Sequence, residues 1–229
     1  RIVASIGAAA REAGVPVATG DTKVVERRRG DGMTITTAGV GEVRDGVELD
    51  AARIREGDAV VITGPLAEHG LAVMSARENL SFRTRVRSDV APLAGLVGAV
   101  LDTGADVRFI RDPTRGGAAG TLADLSEATG LGIEIEEARL PLTAGVRHTA
   151  DLLGLDPLNV ANEGKCVIVA AAEDAETVLG ACRRHPLGTG AAVVGRFTGG
   201  APPLVELVTR IGGRRIVQRP YGEDLPRIC

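Results

Sequence analysis

The sequence predicts an α+β or mixed α/β fold, and three observations carry that prediction. Short runs of β-branched residues, such as Asp58-Ala59-Val60-Val61-Ile62-Thr63 and Cys166-Val167-Ile168-Val169, have strand length and composition. Other stretches repeat their apolar residues at helical spacing: Leu93, Leu96, Val97 and Val100 do so between Pro92 and Thr103. Glycine and proline punctuate the boundaries between the two kinds of segment, and the strands and helices are interspersed along the chain.

Taken in order, residues 2–13 are Ala-rich with helical spacing, and Gly14 is placed to end that helix. Val15 to Thr19 reads as a short strand, Gly30-Asp31-Gly32 as a turn and Met33 to Val40 as an alternating strand. Residues 58–63 form the next strand, closed by Gly64-Pro65, and His69-Gly70 opens an apolar stretch from Leu71 to Met74. Residues 82–91 are polar and lack a core pattern, which places a domain linker there. A helix over 92–103 and a strand over 107–110 lead into the loop Asp112-Pro113-Thr114-Arg115-Gly116-Gly117, with a helix from Ala118. A strand at 133–135, a helix at 144–153, a loop at 160–163, a strand at 166–171, a helix at 174–184 and a strand at 192–197 follow. Val205–Thr209 and Arg215–Val217 flank Gly212-Gly213 as a hairpin. The remaining tail has no periodicity.

Composition narrows the function. The 229 residues suffice for one large domain or two small ones. A net charge of −3 offers no basic field for nucleic acid or anionic lipid. Without Trp, and with one Tyr and three Phe, the chain lacks the stacking platforms of single-strand binders. No apolar run is long enough to span a bilayer, and no signal-peptide pattern opens the chain. Three unpaired cysteines, Cys166, Cys182 and Cys229, argue against a disulfide framework and point to a reducing cytoplasm. The first residue is not Met, which reads as a fragment or a processed chain.

Four segments hold candidate chemistry. Cys229 ends a tail stiffened by Pro220 and Pro226, where a thiol is either idle or the tip of an arm carrying an acyl-type group. Gly20-Asp21-Thr22-Lys23 combines close backbone approach, a carboxylate for a hard cation and an amine for phosphate or a proton. It lacks Walker spacing and reads equally as a turn into a charged strand. The loop from Asp112 to Gly117 can aim backbone N–H groups and the Arg115 fork at an anion, or can be a helix start capped by Thr114 or Asp112. In Asn162-Glu163-Gly164-Lys165, a carboxylate at the rim of a core strand is either a general base or a solvated charge. Of the three histidines only His69, before a glycine at an element end, stands out.

Together these segments resemble one family, the hydrogenase-maturation carbamoyl dehydratases called HypE. The resemblance rests on residues 20–41, 69–80, 111–117 and 154–165 and on the terminal Pro226-Arg227-Ile228-Cys229, in family order and across almost the whole chain. It implies a two-domain fold like that of aminoimidazole ribonucleotide synthetase, shared with thiamine-monophosphate kinase and selenophosphate synthetase. The expected layout is an α+β first-domain portion (1–88), a ferredoxin-like second domain (89–213) and a mobile tail (214–229). It further implies that a partner carbamoyltransferase loads Cys229, and that ATP with Mg2+ drives dehydration of the carbamoyl group to a thiocyanate. The cyanide then passes to iron on a scaffold complex for [NiFe]-hydrogenase. By match to family positions, Glu163 is the base and Lys23 relays protons or stabilises charge. Asp21 lies beside metal and nucleotide, and Thr22, Asp112, Thr114, Arg115 and Asn162 line the nucleotide site.

The sequence departs from the family in two respects. Family members carry roughly a hundred further N-terminal residues with glycine-rich and acidic elements, so the first domain is expected to be incomplete. Ala67-Glu68 also stands where the family has Gly-Asp. A homodimer through first-domain sheets is the family expectation. Two alternatives accompany the enzyme: an inactive carbamoyl or cyano carrier or binding partner, and a small-molecule kinase of the same superfamily.

Overall fold

The computed structural model describes residues 1–26, 32–78, 86–200 and 202–220. The expected Gly30-Asp31 turn, the first part of the 82–91 linker and Cys229 lie outside the described residues. The chain divides into two compact units, 1–47 and 48–229.

The first unit holds helix α1, Ile2–Ala13. It ends as its sequence requires, at Gly14 with φ 68°, where the Val15 N–H reaches back to the Ala10 carbonyl at 3.0 Å. The strands expected at 15–19 and 33–40 do not form: neither stretch has a ladder. Val17, Met33 and Ile35 are exposed there. An alternating pattern marks which face a strand would bury, but a strand also needs a hydrogen-bonded neighbour, and the described residues of this unit supply none.

The second unit is built on one seven-stranded sheet in the order β2-β4-β1-β5-β3-β6-β7. The strands are β1 Ala59–Ile62, β2 Val107–Arg111, β3 Gly132–Glu136, β4 Val167–Ala170, β5 Ala192–Thr198, β6 Val205–Val208 and β7 Arg214–Ile216. All neighbours are antiparallel except β3 and β6, which run parallel with Ile135 beside Leu207. The helices are α2 Glu68–Arg77, α3 Ala94–Leu101, α4 Gly117–Thr129, α5 Ala144–Leu153 and α6 Ala175–Arg184.

Period-two alternation decides the layering. Val60, Ile62, Val167 and Val169 face one side and pack with Ala118, Leu122 and Leu125 of α4. Val61, Ile168 and Ala170 face the other and pack with Leu96 and Val100 of α3 and Val178 and Cys182 of α6. Because both faces are covered, the central strands read as unbroken apolar runs. Phe197 on β5 is 1% exposed, and its burial contributes about 1.5–3 kcal/mol. A third cluster joins Ala67 and Leu71 of the α2 region to Val146 of α5 and Val160.

β1 hydrogen-bonds between β4 and β5, so residues 48–88 include a central strand of the same sheet. The mixed sheet with helices on its faces is the expected α+β architecture. At the other end the sheet extends past residue 214, since Glu206 pairs with Ile216 and Val217 is buried.

Candidate functional site

Strand β2 delivers the chain into the loop Asp112–Gly117 and directly into α4. Thr114 Oγ1 donates to the Asp112 carboxylate and stands 3.2 Å from the Asn162 carbonyl. Neither Asp112 nor Thr114 caps α4, which begins without a side-chain cap after Gly116 at φ 73°. The two glycines have separate causes. Gly116 supplies the left-handed turn. Gly117 is left-handed too, at φ 61°, and a Cβ there would lie 2.4 Å from the Leu158 carbonyl and 2.7 Å from that of Val160. The loop is therefore pressed onto the 158–160 turn.

Asn162 clips three segments together. Its side chain is fully buried; Oδ1 accepts the Ala67 N–H at 2.8 Å, and Nδ2 donates to the carbonyls of Pro113 at 3.1 Å and Val160 at 3.0 Å. Both amide hydrogens and the carbonyl are engaged within the protein, so Asn162 acts on the site through its neighbours. Ala67 is the single non-glycine residue with positive φ among the described residues, at 70°. That conformation costs an L-residue about 1–2 kcal/mol, and the bond to Asn162 helps hold it. The result fixes the start of α2 and so the placement of Glu68 and His69.

Glu163 follows Asn162 and is partly exposed. Burial pushes its carboxyl above the ordinary carboxylate range; His69 opposes the shift, while the negative charges of Asp112 and Asp89 add to it. A carboxylate raised in this way is a better proton acceptor near neutral pH. Its N–H donates to Asp89 Oδ1 at 3.1 Å. Asp89 Oδ2 lies 3.4 Å from Lys165 Nζ, with the two side chains 1% and 10% exposed. Glu68 is also raised, first by burial, with Lys165 opposing and Asp89 reinforcing. His69 Nδ1 is 2.8 Å from Ser88 Oγ. Gly164 lies flat against residue 89: a Cβ would come 1.7 Å from the Asp89 carbonyl oxygen.

The structure thus brings Asp112, Thr114, Asn162 and Glu163 together, with Arg115 on the same loop. Asp21, Thr22 and Lys23 belong to the first unit and are exposed, with the Thr22 N–H on Asp21 Oδ1 at 2.7 Å. Among the described residues, no three His, Cys, Asp or Glu side chains are placed to hold a metal ion. A single carboxylate such as Asp21 suits magnesium held mainly by phosphate oxygens and water. No helix among the described residues is long and apolar enough to cross a membrane.

After β7 the chain runs along α4 towards the same loop. The Val217 N–H bonds the Val205 carbonyl at 2.7 Å, and the Arg219 guanidinium meets Asp124 and, at 3.4 Å, Glu127. The Pro220 ring would lie 3.5 Å from a Cβ on Gly116.

Residues 55–205 match the family described as AIR synthase related protein, C-terminal domain. A carbamoyl dehydratase HypE from Rhizobium leguminosarum bv. viciae is 51% identical over 230 residues, and the match covers all of this chain. This chain spans 66% of that relative's length. A crystal structure of hydrogenase maturation protein HypE in complex with ATP superposes with a TM-score of 0.91 at 36% identity, covering 100% of this chain and 70% of that one. The chain belongs to the HypE family. A HypE solved as a complex with HypF also matches, with a TM-score of 0.86 at 38% identity, covering 96% of this chain and 71% of that one.

Against the HypE resemblance, Ala67 gains a meaning. Ala67 adopts with strain a left-handed backbone that a glycine would take at little cost. Sequence reasoning missed Asp89 and Glu68. Asp89 falls in the polar stretch that reads as a linker, and Glu68 stands out in the sequence only as a departure from the resemblance. The one available signal was Ser88-Asp89 closing that stretch just before the apolar helix at 92–103.

Proposed function

We propose that the protein of which this chain is part is an ATP-dependent carbamoyl dehydratase, acting on a carbamoyl group carried by Cys229. The observation that carries the proposal is the setting of Glu163: a half-buried carboxyl with raised proton affinity, beside His69 and Asp112, on a loop fixed by Asn162. Membership of the HypE family and the likeness to an ATP-bound HypE support it.

The reaction converts an S-bound C(=O)NH2 group to S–C≡N with loss of the elements of water. When bound, ATP supplies the phosphoryl group that turns the carbamoyl oxygen into a leaving phosphate. The nitrogen loses two protons, one as the oxygen takes the phosphoryl group and leaves C=NH, and the second as the C–O bond breaks, phosphate departs and C≡N forms; Glu163 takes the second. Lys23 relays protons or stabilises charge on the oxygen. Thr22, Thr114, Arg115 and Asp112 would line the nucleotide. Asp21 holds Mg2+.

The path of residues 217–220 favours this arrangement. Cys229 follows Pro220 by nine residue steps, which reach at most about 30 Å when fully extended. Pro220 already abuts the loop that shares Asn162 with Glu163. The partner in the HypE–HypF complex is then the carbamoyl donor, an iron-scaffold complex takes the cyanide, and the protein works as a homodimer.

The test is the mass of the C-terminal peptide after incubation of the intact protein with its carbamoyltransferase and carbamoyl phosphate, followed by ATP and magnesium. The expected result is an adduct on Cys229 that becomes lighter by one water, with the second step abolished by Glu163→Gln. An adduct that never dehydrates would make the protein a carrier. ATP-dependent phosphorylation of a small molecule that survives Cys229→Ser would make it a kinase.

A further inference from the structure

We infer that Ser88 and Asp89 form the positioning element of this site, holding His69 and Glu163 in register and setting the charge behind Glu163. The inference rests on the reading of Glu163 as base and adds two residues to it.

Asp89 touches three consecutive residues of the 163–165 segment. Its Oδ1 accepts the Glu163 N–H at 3.1 Å, its backbone carbonyl occupies the space that a side chain at Gly164 would need, and its Oδ2 faces Lys165 Nζ at 3.4 Å. The neighbouring Ser88 contributes its hydroxyl to His69 Nδ1 at 2.8 Å. One dipeptide therefore grips α2 through His69 and the β4 approach through Glu163, across separations of 19 and 74 residues.

A stability role alone explains this poorly. The Asp89 side chain is 1% exposed, and Oδ2 has no hydrogen-bond partner, only the longer contact to Lys165. Buried ion pairs often return less than their desolvation costs, and an oxygen without a hydrogen bond worsens that balance. The carboxylate does have an electrostatic effect on the site. Burial is the first cause that raises Glu163 and Glu68; the Asp89 charge adds to the rise in both, against His69 and Lys165 respectively. The groups acting on Glu163 are His69 from α2, Asp112 from the β2–α4 loop and Asp89. Of the two carboxylates, Asp89 is the one hydrogen-bonded to the Glu163 backbone.

The test uses Asp89→Asn in the intact protein. Asparagine keeps an acceptor for the Glu163 N–H and removes the charge. Two readouts are taken: the titration of the Glu163 carboxyl by carbon NMR of labelled glutamate, assigned with Glu163→Gln, and the pH profile of dehydration. The expected result is a lower titration midpoint for Glu163 and an acid limb that moves to lower pH with it. Unchanged titration and an unchanged limb overturn the inference and leave Asp89 structural. A shifted titration with a fixed limb overturns Glu163 as the base, and the positioning role in catalysis falls with it. Ser88→Ala removes an exposed hydroxyl, so folding is preserved if the Asn variant fails. It is expected to lower kcat several-fold with KM for ATP unchanged, and an unaltered kcat overturns the role of Ser88.

Discussion

Replacing Asn162 with alanine removes one acceptor and two donors from a fully buried position. The Ala67 N–H then has no acceptor from Asn162, and a buried orphan donor costs about 1–3 kcal/mol. The Pro113 carbonyl keeps the Asn162 backbone N–H at 3.2 Å, so losing the Nδ2 bonds adds about 1 kcal/mol in all. The expected loss is about 2–4 kcal/mol. Because the chain has no Trp, far-ultraviolet circular dichroism is the suitable probe of urea unfolding. The same variant frees Ala67 from one restraint on its left-handed backbone, so amide exchange should accelerate at the start of α2. A loss under about 0.5 kcal/mol, or exchange in α2 equal to wild type, would refute the clip. Asn162→Asp sharpens the test. It keeps the acceptor for Ala67 but turns a carboxylate towards two carbonyls, so its stability should recover as pH falls and the buried acid protonates.

Three further outcomes follow from the geometry. Glu163→Gln should stabilise the protein at neutral pH. The folded state raises the Glu163 carboxyl, so its burial favours folding while protonated and that contribution is lost as pH rises through the raised value; the gain from Gln should therefore vanish below the ordinary carboxylate range in pH-dependent denaturation. Gly117→Ala places a Cβ 2.4 Å from the Leu158 carbonyl at a φ of 61°, and the backbone strain plus overpacking should cost about 2–5 kcal/mol in thermal unfolding. Burial pushes the thiols of Cys166 and Cys182 up to about 12 and about 11. Fewer than about one in a hundred of either is thiolate at pH 8, so iodoacetamide should label neither in the native protein, and peptide mapping that finds Cys166 alkylated before unfolding would contradict their burial.

The sequence by itself determined the local elements of the second unit. Val167-Ile168-Val169 had to be a strand because β-branched residues fit a pleated, covered surface, and the apolar spacing of 92–103 and 144–153 could be satisfied only on helices. It also marked the DPTRGG and NEGK segments and the tail cysteine, because those residue types at those spacings resemble one family. It did not reveal that Asn162 is a clip rather than a ligand-facing amide, since the partners of a buried amide come from positions 49 and 95 residues away. The two segments were legible as loops, but the reason for their glycines, a carbonyl oxygen where a Cβ would stand at Gly117 and Gly164, exists only after folding. The strands expected at 15–19 and 33–40 show the converse failure, a local pattern without a partner to pair it. Pairing, register and the approach of Ser88-Asp89 to His69 and Glu163 are long-range, and only the tertiary structure decided them, because hydrogen bonds and desolvation depend on what lies opposite and not on what lies next in the chain.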